Sequence, residues 1–187
     1  NHPEVEGTMG QIPKNSIYLV ETINDIKGLN TNGNDKIAYL TQTTLSIDDT
    51  QNIINELRNK FPNIESSPKE DICYATSNRQ KAIKEYANKC DTFIVVGSKN
   101  SSNSNRLVEV AKKAGCLNSH LLENAESLNL SNYSSSRIIG ISSGASVPEV
   151  LVENVISKFQ KNYSLEIENV SLGEESVQFK LPKEIRN

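Results

Sequence analysis

The chain has 187 residues, of which 36% are hydrophobic, and its 20 basic and 23 acidic residues leave a net charge of −3. The length fits one or two domains, and a mean hydropathy of −0.49, with no apolar run near the ~18 residues of a membrane span, argues against a membrane protein. The dispersed charges exclude the basic footprint of a nucleic-acid-binding protein, and the odd number of cysteines argues against a disulfide framework and for a reducing compartment.

The first part of the chain predicts two strands and two helices. Residues 16–20 and 36–41 have the apolar runs of short strands, and the second run is typical of a strand buried on both faces. Helices are expected over 22–29 and 46–61, the second with a serine cap at its start and a proline stop at its end. A polar, proline-containing stretch follows, so we expect a domain boundary that closes a first unit over residues 1–68.

The rest of the chain predicts a second α/β unit over residues 69–160. Strands are expected over 92–96, 119–122 and 137–141, and a tail from residue 161 alternates in places, as edge strands do. Strands and helices alternate, which indicates the α/β class with parallel sheets. The helices of this unit are expected at 77–89, from the end of the 97–105 loop to residue 115, and from Pro148 onward.

Three polar segments follow predicted strands at the edge where parallel strands end. They are residues 41–44, 97–105 and 142–146, and each precedes a predicted helix. Ligands of open α/β sheets bind at this edge, and short hydroxyl and amide side chains beside helix N-terminal N–H groups can hold an anion without Lys or Arg. Turn and capping roles explain one such segment more simply, but three together support a phosphate or diphosphate site about equally well.

A few side chains could carry further chemistry. Cys73 precedes a predicted helix, where a thiolate can serve as a nucleophile or a soft-metal ligand, although a small buried residue is an equally good interpretation. Cys90 and Cys116 follow helices and are interpreted as core residues, and without a C-x-x-C pair a self-contained zinc or iron–sulfur site is not expected. His2 and Glu4 could form a proton-handling pair or could simply be solvated.

Five motifs carry a resemblance to a known enzyme family. They are HPEVEGTMGQ at 2–11, TQTTLS at 41–46, DICYAT at 71–76, the segment 97–107, and GAS at 144–146. In their order and spacing they resemble the 4-hydroxy-3-methylbut-2-enyl diphosphate reductases, the last enzymes of the methylerythritol phosphate route to isoprenoids. The resemblance covers essentially the whole chain.

The resemblance implies an iron–sulfur oxidoreductase built from three pseudo-symmetric α/β lobes around a [4Fe–4S] cluster, each lobe supplying one cysteine. It implies reductive removal of the allylic hydroxyl of (E)-4-hydroxy-3-methylbut-2-enyl diphosphate, which gives isopentenyl and dimethylallyl diphosphate. It further implies ferredoxin or flavodoxin as electron donor, a cytoplasmic or plastid location, and no nucleic-acid or membrane partner.

The same resemblance implies that the chain holds two of the three lobes. Residues 1–68 would be the remainder of the second lobe, 69–160 the third lobe and 161–187 a tail. The first lobe, two cluster cysteines and two substrate-side histidines are expected to be missing, and the motif at residue 2 would then lack the scaffold expected before it. The 187 residues are therefore expected to be inactive alone.

The resemblance also assigns roles to individual residues. Cys73 would be one cluster ligand, Glu4 the proton source and His2 a partner of the diphosphate, while Thr43 would contact the hydroxyl end of the substrate. From the residues alone, a non-catalytic phosphate-binding module and a sugar-phosphate isomerase-type enzyme stay open as alternatives. The diphosphate would be held by four neutral side chains: Ser101, Ser102, Asn103 and Ser146.

Overall fold

The computed structural model describes residues 2–13, 15–31, 35–67, 71–172 and 180–186. Strands and helices alternate through most of these ranges, which confirms the predicted α/β class, and no helix within them combines the length and apolarity that a membrane crossing requires. The elements are α1 (Pro3–Met9), α2 (Ile23–Gly28), β1 (Ala38–Tyr39), α3 (Ile47–Lys60), β2 (Glu65–Ser66), α4 (Tyr74–Tyr86), β3 (Thr92–Val96), α5 (Ser102–Lys113), β4 (Ser119–Leu122), β5 (Ile139–Ser143) and α6 (Glu149–Gln160), with short 3₁₀ turns at Ala87–Lys89, Leu130–Tyr133 and Lys183–Ile185.

The larger sheet has the spatial order β4-β3-β5, and all three strands run parallel. Every residue of the central strand β3 is buried. Phe93 and Val95 join the core formed with α4 and α5, whereas Ile94 and Val96 join a second core formed with α6. Because side chains of a strand alternate between faces, a continuous apolar run is what a strand covered on both faces requires.

This strand order creates a switch point at the carboxyl end of β3. The chain leaves β3 through α5 to reach β4 on one side, whereas β5, on the other side, leads into α6. The helices α5 and α6 pack on opposite faces of the sheet. Ligands of open α/β sheets bind in the crevice at such a point, so the segments that follow β3 and β5 are placed to form a site.

The smaller sheet pairs β1 with β2 in parallel over two residues each. The predicted strand over 36–41 is therefore longer than the observed one, and it is not buried on both faces, since Leu40 is 63% exposed. Residues 16–20, also predicted as a strand, form none, and Tyr18 and Leu19 are exposed. An apolar run shows that a segment can be buried, but it does not show that a partner strand or helix is present to cover it.

The hydrophobic core is unevenly distributed between the two sheets. Within the described ranges before residue 68, the buried hydrophobic side chains are Ile26 and Leu57, and the remaining ones surround β3. A polar contact compensates in part, because the Lys60 ammonium at the end of α3 donates to three backbone carbonyls at the end of α2, at 2.7–3.0 Å. The first helices are thus held with little core of their own.

Other predicted elements of the second unit are confirmed with shifted ends. The strands β3 and β4 have the predicted bounds, whereas β5 begins at Ile139, two residues later than expected. The helix α4 begins at Tyr74, three residues early, and α5 begins at Ser102 instead of near the end of the 97–105 loop. The α5 shift arises because the Ser101 side chain, inside that loop, already caps the helix.

The tail does not extend either sheet where the structure describes it. Residues 164–172 form no strand, and Leu165 and Ile167, which alternate in the sequence, are exposed. The alternating positions 177 and 179 lie outside the described residues, as does the predicted boundary between residues 68 and 69. The division into units over 1–68, 69–160 and 161–187 stays a prediction.

Candidate functional site

The first turn of α5 forms one wall of the crevice beyond β3. Ser101 caps this helix: its Oγ accepts hydrogen bonds from the backbone N–H of Ser104 at 3.2 Å and from the Ser104 hydroxyl at 3.0 Å. The helix has 12 residues, long enough for the N–H groups of its first turn to present a partial positive charge at this edge of the sheet. A wall of this kind suits an anion.

Asn103 stands out in this wall because its side chain is buried and unpaired. The residue is 8% exposed, and neither Nδ2 nor Oδ1 has a hydrogen-bond partner among the described residues. Burying an amide without partners costs about 1–3 kcal/mol, and buried polar groups are normally satisfied by protein, water or a ligand. The Asn103 amide is therefore suited to hold a polar ligand.

Two glycines bring the segments after β3 and β5 together around Ser104. The N–H of Gly144 donates to the carbonyl of Val96 at 3.0 Å, which extends the pairing of β3 with β5. A Cβ at Gly97 or at Gly144 would lie 2.3 Å from Ser104 Oγ, so only the absence of a side chain allows this approach. Ser146 follows in the turn after Gly144 and is exposed, so the structure brings it to the same edge of the sheet.

The polar segment over 41–46 reaches the start of α5 through side chains. Gln42 Nε2 donates to Thr44 Oγ1 at 2.9 Å and to Ser102 Oγ at 3.3 Å, and the two hydroxyl oxygens lie 3.0 Å apart. Two of the three polar segments singled out in the sequence are thus in direct contact. The third lies beside them through the close approach of Gly144 to the α5 wall.

Two polar side chains fix the backbone of the 41–46 segment. Asp71 Oδ2 accepts from the N–H of Thr41 at 2.8 Å. Gln80 of α4, which is fully buried, accepts from the N–H of Ile47 at 3.2 Å and donates to the carbonyl of Leu45 at 2.8 Å. These contacts set the position of the segment relative to the start of α4.

The peptide groups of Thr43 link two candidate residues that are far apart in the sequence. The Thr43 N–H donates to Glu4 Oε1 at 3.0 Å, and the Thr43 carbonyl accepts from the N–H of Cys73 at 3.1 Å. The structure therefore brings together three of the residues that the sequence singled out, on one hydrogen-bonded path. Because both bonds use the backbone of Thr43, its side chain, on an exposed residue, is not needed for them.

Cys73 is the N-cap residue of α4, and its side chain makes no capping hydrogen bond and belongs to an exposed residue. Sulfur ligands of this kind suit soft metals and iron–sulfur clusters. No group of three His, Cys, Asp or Glu side chains that could hold a metal ion occurs in the described parts of the chain. The residues present therefore fit one corner of a cluster and not a complete metal site.

The other two cysteines have a different environment. Cys116 is 2% exposed in the core formed by α4, α5 and β3, and Cys90 packs against that core with its thiol directed to the carbonyl of Tyr86 at 3.4 Å. Burial raises the pKa of the Cys90 thiol, which disfavours the thiolate that a metal needs. The interpretation as a core residue is confirmed for Cys116, whereas Cys90 is partly buried and packs against the same core.

His2 caps the short helix α1. Its Nδ1 accepts from the N–H of Glu4 at 3.3 Å, so the neutral ring carries its proton on Nε2. The Nε2–H is then a donor that a ligand can use.

Several side chains that organise this region were not identified as site residues from the sequence. Ser104 has a detectable signal, since the S-x-x-S spacing with Ser101 is that of a helix cap and its third helical residue. Gln42 and Thr44 lie in a segment recognised as polar, but nothing in the pattern predicts their contact with α5. Gln80 has no signal, because a buried glutamine on a helix looks like a surface residue in the sequence.

Residues 1–160 match the family model described as LytB protein. Among curated relatives, the chain is 48% identical to the 4-hydroxy-3-methylbut-2-enyl diphosphate reductase of Beijerinckia indica subsp. indica and 45% identical to that of Paracoccus denitrificans. Each alignment covers 99% of this chain and 58% of the relative.

A solved structure has the same fold. The E-1-hydroxy-2-methyl-but-2-enyl-4-diphosphate reductase from Plasmodium falciparum aligns with a TM-score of 0.88 at 38% sequence identity, over 98% of this chain and 58% of that protein. The chain thus spans 58% of the length of the proteins that it matches.

Proposed function

This chain belongs to the LytB family, and from that membership we propose that it forms part of a 4-hydroxy-3-methylbut-2-enyl diphosphate reductase. The proposed reaction adds two electrons and two protons to the allylic diphosphate, breaks its C–O bond and releases water. The products are isopentenyl and dimethylallyl diphosphate. Ferredoxin or flavodoxin is proposed to supply the electrons, and the names of the relatives support the substrate class.

The observation that carries this proposal is the buried, unpaired amide of Asn103. A diphosphate placed at the start of α5 would accept a hydrogen bond from Asn103 Nδ2 and others from the hydroxyls of Ser101 and Ser102. Ser146 would add a donor from the segment after β5. Hydrogen bonds to a charged group contribute about 1.5–3 kcal/mol each, so the set could hold a diphosphate with neutral side chains.

The surrounding charges agree with binding by neutral donors. Lys99, the basic residue of the 97–105 loop, lies 3.7 Å from the carboxylate of Glu123. Arg106, in the second turn of α5, is paired with Glu109 and lies 3.7 Å from Asp49. Since both cations already face carboxylates, the hydroxyls, the Asn103 amide and the N–H groups of α5 are left as the donors for a diphosphate.

Glu4 and Thr43 are proposed to act at the other end of the substrate. The Glu4 carboxyl would deliver a proton as the hydroxyl leaves, and with Oε1 held by the Thr43 N–H, Oε2 is the oxygen that we assign to carry it. The Thr43 hydroxyl would hold the substrate hydroxyl. His2 would donate from Nε2 to the diphosphate while its Nδ1 keeps α1 capped.

Cys73 is proposed to hold one iron of a [4Fe–4S] cluster, which when bound supplies the electrons and a Lewis acid at the substrate hydroxyl. Cys73 is exposed and its thiol makes no capping hydrogen bond to α4, which supports this assignment. Cys116 is buried in the core and Cys90 packs against it, so further cluster ligands would have to come from outside residues 1–187. We therefore expect residues 1–187 alone to assemble no stable cluster and to show no turnover.

The decisive experiment replaces Asn103 with alanine in a protein of the relatives' length that contains this chain. We expect KM for the allylic diphosphate to rise about ten- to a hundredfold, because about 1.4 kcal/mol corresponds to a factor of ten. The melting temperature without substrate should stay the same or increase, since the substitution removes a buried amide that is unpaired in the structure.

The matched control is Asn132→Ala, which changes an exposed asparagine in the 3₁₀ turn Leu130–Tyr133 and should alter neither quantity. A lower melting temperature for Asn103→Ala with an unchanged KM would mean that Asn103 only supports the fold. In that case the diphosphate site proposed at the start of α5 would be wrong.

A further inference from the structure

We propose that Ser104 is a positioning residue that fixes the direction in which the Ser101 hydroxyl donates. This inference rests on the proposed diphosphate site at the start of α5 and adds to it a residue that would not touch the ligand. Ser104 is fully buried, and both of its donors, the backbone N–H and the Oγ–H, are directed to Ser101 Oγ.

The hydrogen-bonding capacity of one hydroxyl explains the effect. A serine Oγ has two acceptor sites and one O–H donor. At Ser101, the N–H of Ser104 at 3.2 Å and the hydroxyl of Ser104 at 3.0 Å fill both acceptor sites. Ser101 can then donate its O–H to a phosphate oxygen, which is an acceptor. Ser101 is thus prepared as a donor before any anion arrives, which reduces the cost of ordering it on binding.

The packing around Ser104 keeps its own hydroxyl in place. Ser104 Oγ occupies the gap between Gly97 and Gly144, where a Cβ on either glycine would lie 2.3 Å from it. These glycines follow β3 and β5 directly. The backbone at the two strand ends therefore sets the orientation of Ser104, and Ser104 transmits that orientation to Ser101.

An independent feature indicates that this wall meets a ligand. Asn103, between the two serines in the sequence, is 8% exposed with an unpaired amide. This observation does not depend on the hydrogen bonds between Ser101 and Ser104. A polar ligand that satisfies Asn103 would lie at the same helical turn as the Ser101 hydroxyl, where a donor of fixed direction is useful.

A double-mutant cycle on Ser101 and Ser104 tests the inference. The probe is inorganic diphosphate, titrated by calorimetry into a protein of the relatives' length that contains this chain. We expect Ser101→Ala to weaken binding about ten- to a hundredfold, as loss of a donor to a charged group should. Ser104→Ala should weaken it about three- to tenfold. In the Ser101→Ala background, Ser104→Ala should have no further effect, because its hydroxyl then has nothing to orient.

Two additional variants separate orientation from stability. Ser104→Cys fills the same gap with a weak donor and should weaken binding as Ser104→Ala does, which provides a second arm if one variant folds poorly. Ser119→Ala is the matched control. Ser119 is a buried serine like Ser104, but its hydroxyl donates to a backbone carbonyl, and it lies at the opposite end of the same sheet. It should lower the melting temperature without changing diphosphate affinity.

The outcomes distinguish this inference from the proposed function. If Ser101→Ala and Asn103→Ala both leave diphosphate binding unchanged, the proposed site is wrong and the role of Ser104 falls with it. If those two variants weaken binding but Ser104→Ala does not, only the inference about Ser104 is overturned. The same holds if Ser104→Ala causes an equal loss in both backgrounds, since a purely structural residue would behave in that way.

Discussion

Glu4 and Thr43 are joined by a hydrogen bond across 39 positions of sequence, with the Thr43 N–H donating to Glu4 Oε1 at 3.0 Å. The carbonyl of Thr43 in turn accepts from the N–H of Cys73 at 3.1 Å. The helix α1, the 41–46 segment and the start of α4 therefore meet at one residue. Because Thr43 makes both contacts through its backbone groups, side-chain changes at Thr43 should leave Glu4 in place.

Glu4→Gln should separate proton delivery from folding. The amide oxygen can still accept from the Thr43 N–H, but the side chain can no longer release a proton. In a protein of the relatives' length, we expect kcat to fall about 10²–10⁴-fold, the usual range for a positioned acid–base group, with KM within several-fold of the unmodified value. Glu6→Gln, an exposed change on the same helix, is the control. An unchanged kcat for Glu4→Gln would make Glu4 a structural residue.

Cys73→Ser should remove the cluster from the same full-length protein. Iron and sulfide content, and the visible absorbance of the cluster, should fall to near background, since a serine oxygen is a poor replacement for a thiolate ligand. Cys90→Ser and Cys116→Ser should keep the cluster, although Cys116→Ser places a hydroxyl in an apolar core and should lower stability by about 1–3 kcal/mol. A fully loaded Cys73→Ser protein would contradict the assignment.

Alanine substitutions at the two glycines around Ser104 should differ in how far Ser104→Ala restores the lost stability. Gly97→Ala and Gly144→Ala should each lower the free energy of unfolding by about 1–3 kcal/mol, because the new Cβ would lie 2.3 Å from Ser104 Oγ. Adding Ser104→Ala should restore most of the loss at Gly144, where the Ser104 Cβ would be 3.6 Å away. It should not do so at Gly97, where that distance is 2.7 Å.

Denaturant unfolding of the single and double variants, with Ser104→Ala alone as the reference, measures these differences. Equal rescue at both glycines would show that the strand ends can separate. Such a result would contradict the close packing on which the orientation of Ser104 depends.

Asp49 should contribute a pH-dependent part of the stability. The hydrogen bond from Lys113, at 2.9 Å, with the charges of Lys113 and Arg106, holds the pKa of Asp49 below its ordinary value of 3.8. Since the pKa is lower in the folded state, the stabilisation is present above pH 3.8 and is lost as the pH falls through the folded-state pKa.

Asp49→Asn should therefore lower the free energy of unfolding at neutral pH by about 1 kcal/mol or less, because the carboxylate is 47% exposed and solvent screens the pairs. The difference from the unmodified protein should disappear at the acid end of the titration and shrink in high salt. A constant difference across the pH range would contradict a contribution from the ionised Asp49 carboxylate.

The fold was predictable from the sequence where burial is decided locally. Thr92–Val96 is apolar on both alternating faces apart from its first residue, and it forms the central strand with the predicted bounds. Residues 16–20 have a similar composition and form no strand. The two segments differ in their neighbours, because β3 has a strand on each side and helices above and below. A local sequence pattern does not indicate which partners a segment will meet.

The residue types of the candidate site were predictable from the sequence, but the hydrogen bonds that join them were not. Polar segments after strands could be recognised because ligands of α/β sheets bind there. The contact between Glu4 and the Thr43 N–H could not, since a backbone group has no residue-specific signature. The role of Gln80 was hidden for another reason, because its amide acts on backbone groups 33 and 35 positions away.

The uneven core has a consequence for how this chain should unfold on heating. Before residue 68, the described chain buries few hydrophobic side chains, yet Glu4 and Thr43 lie in that part. Elements with few buried apolar contacts open locally at lower free energy than the global transition. Hydrogen exchange should therefore be fast in α1 and α2 and slow in β3. On heating, the elements before residue 68 should open while the β4-β3-β5 sheet is still intact, so the two sheets should melt at different temperatures.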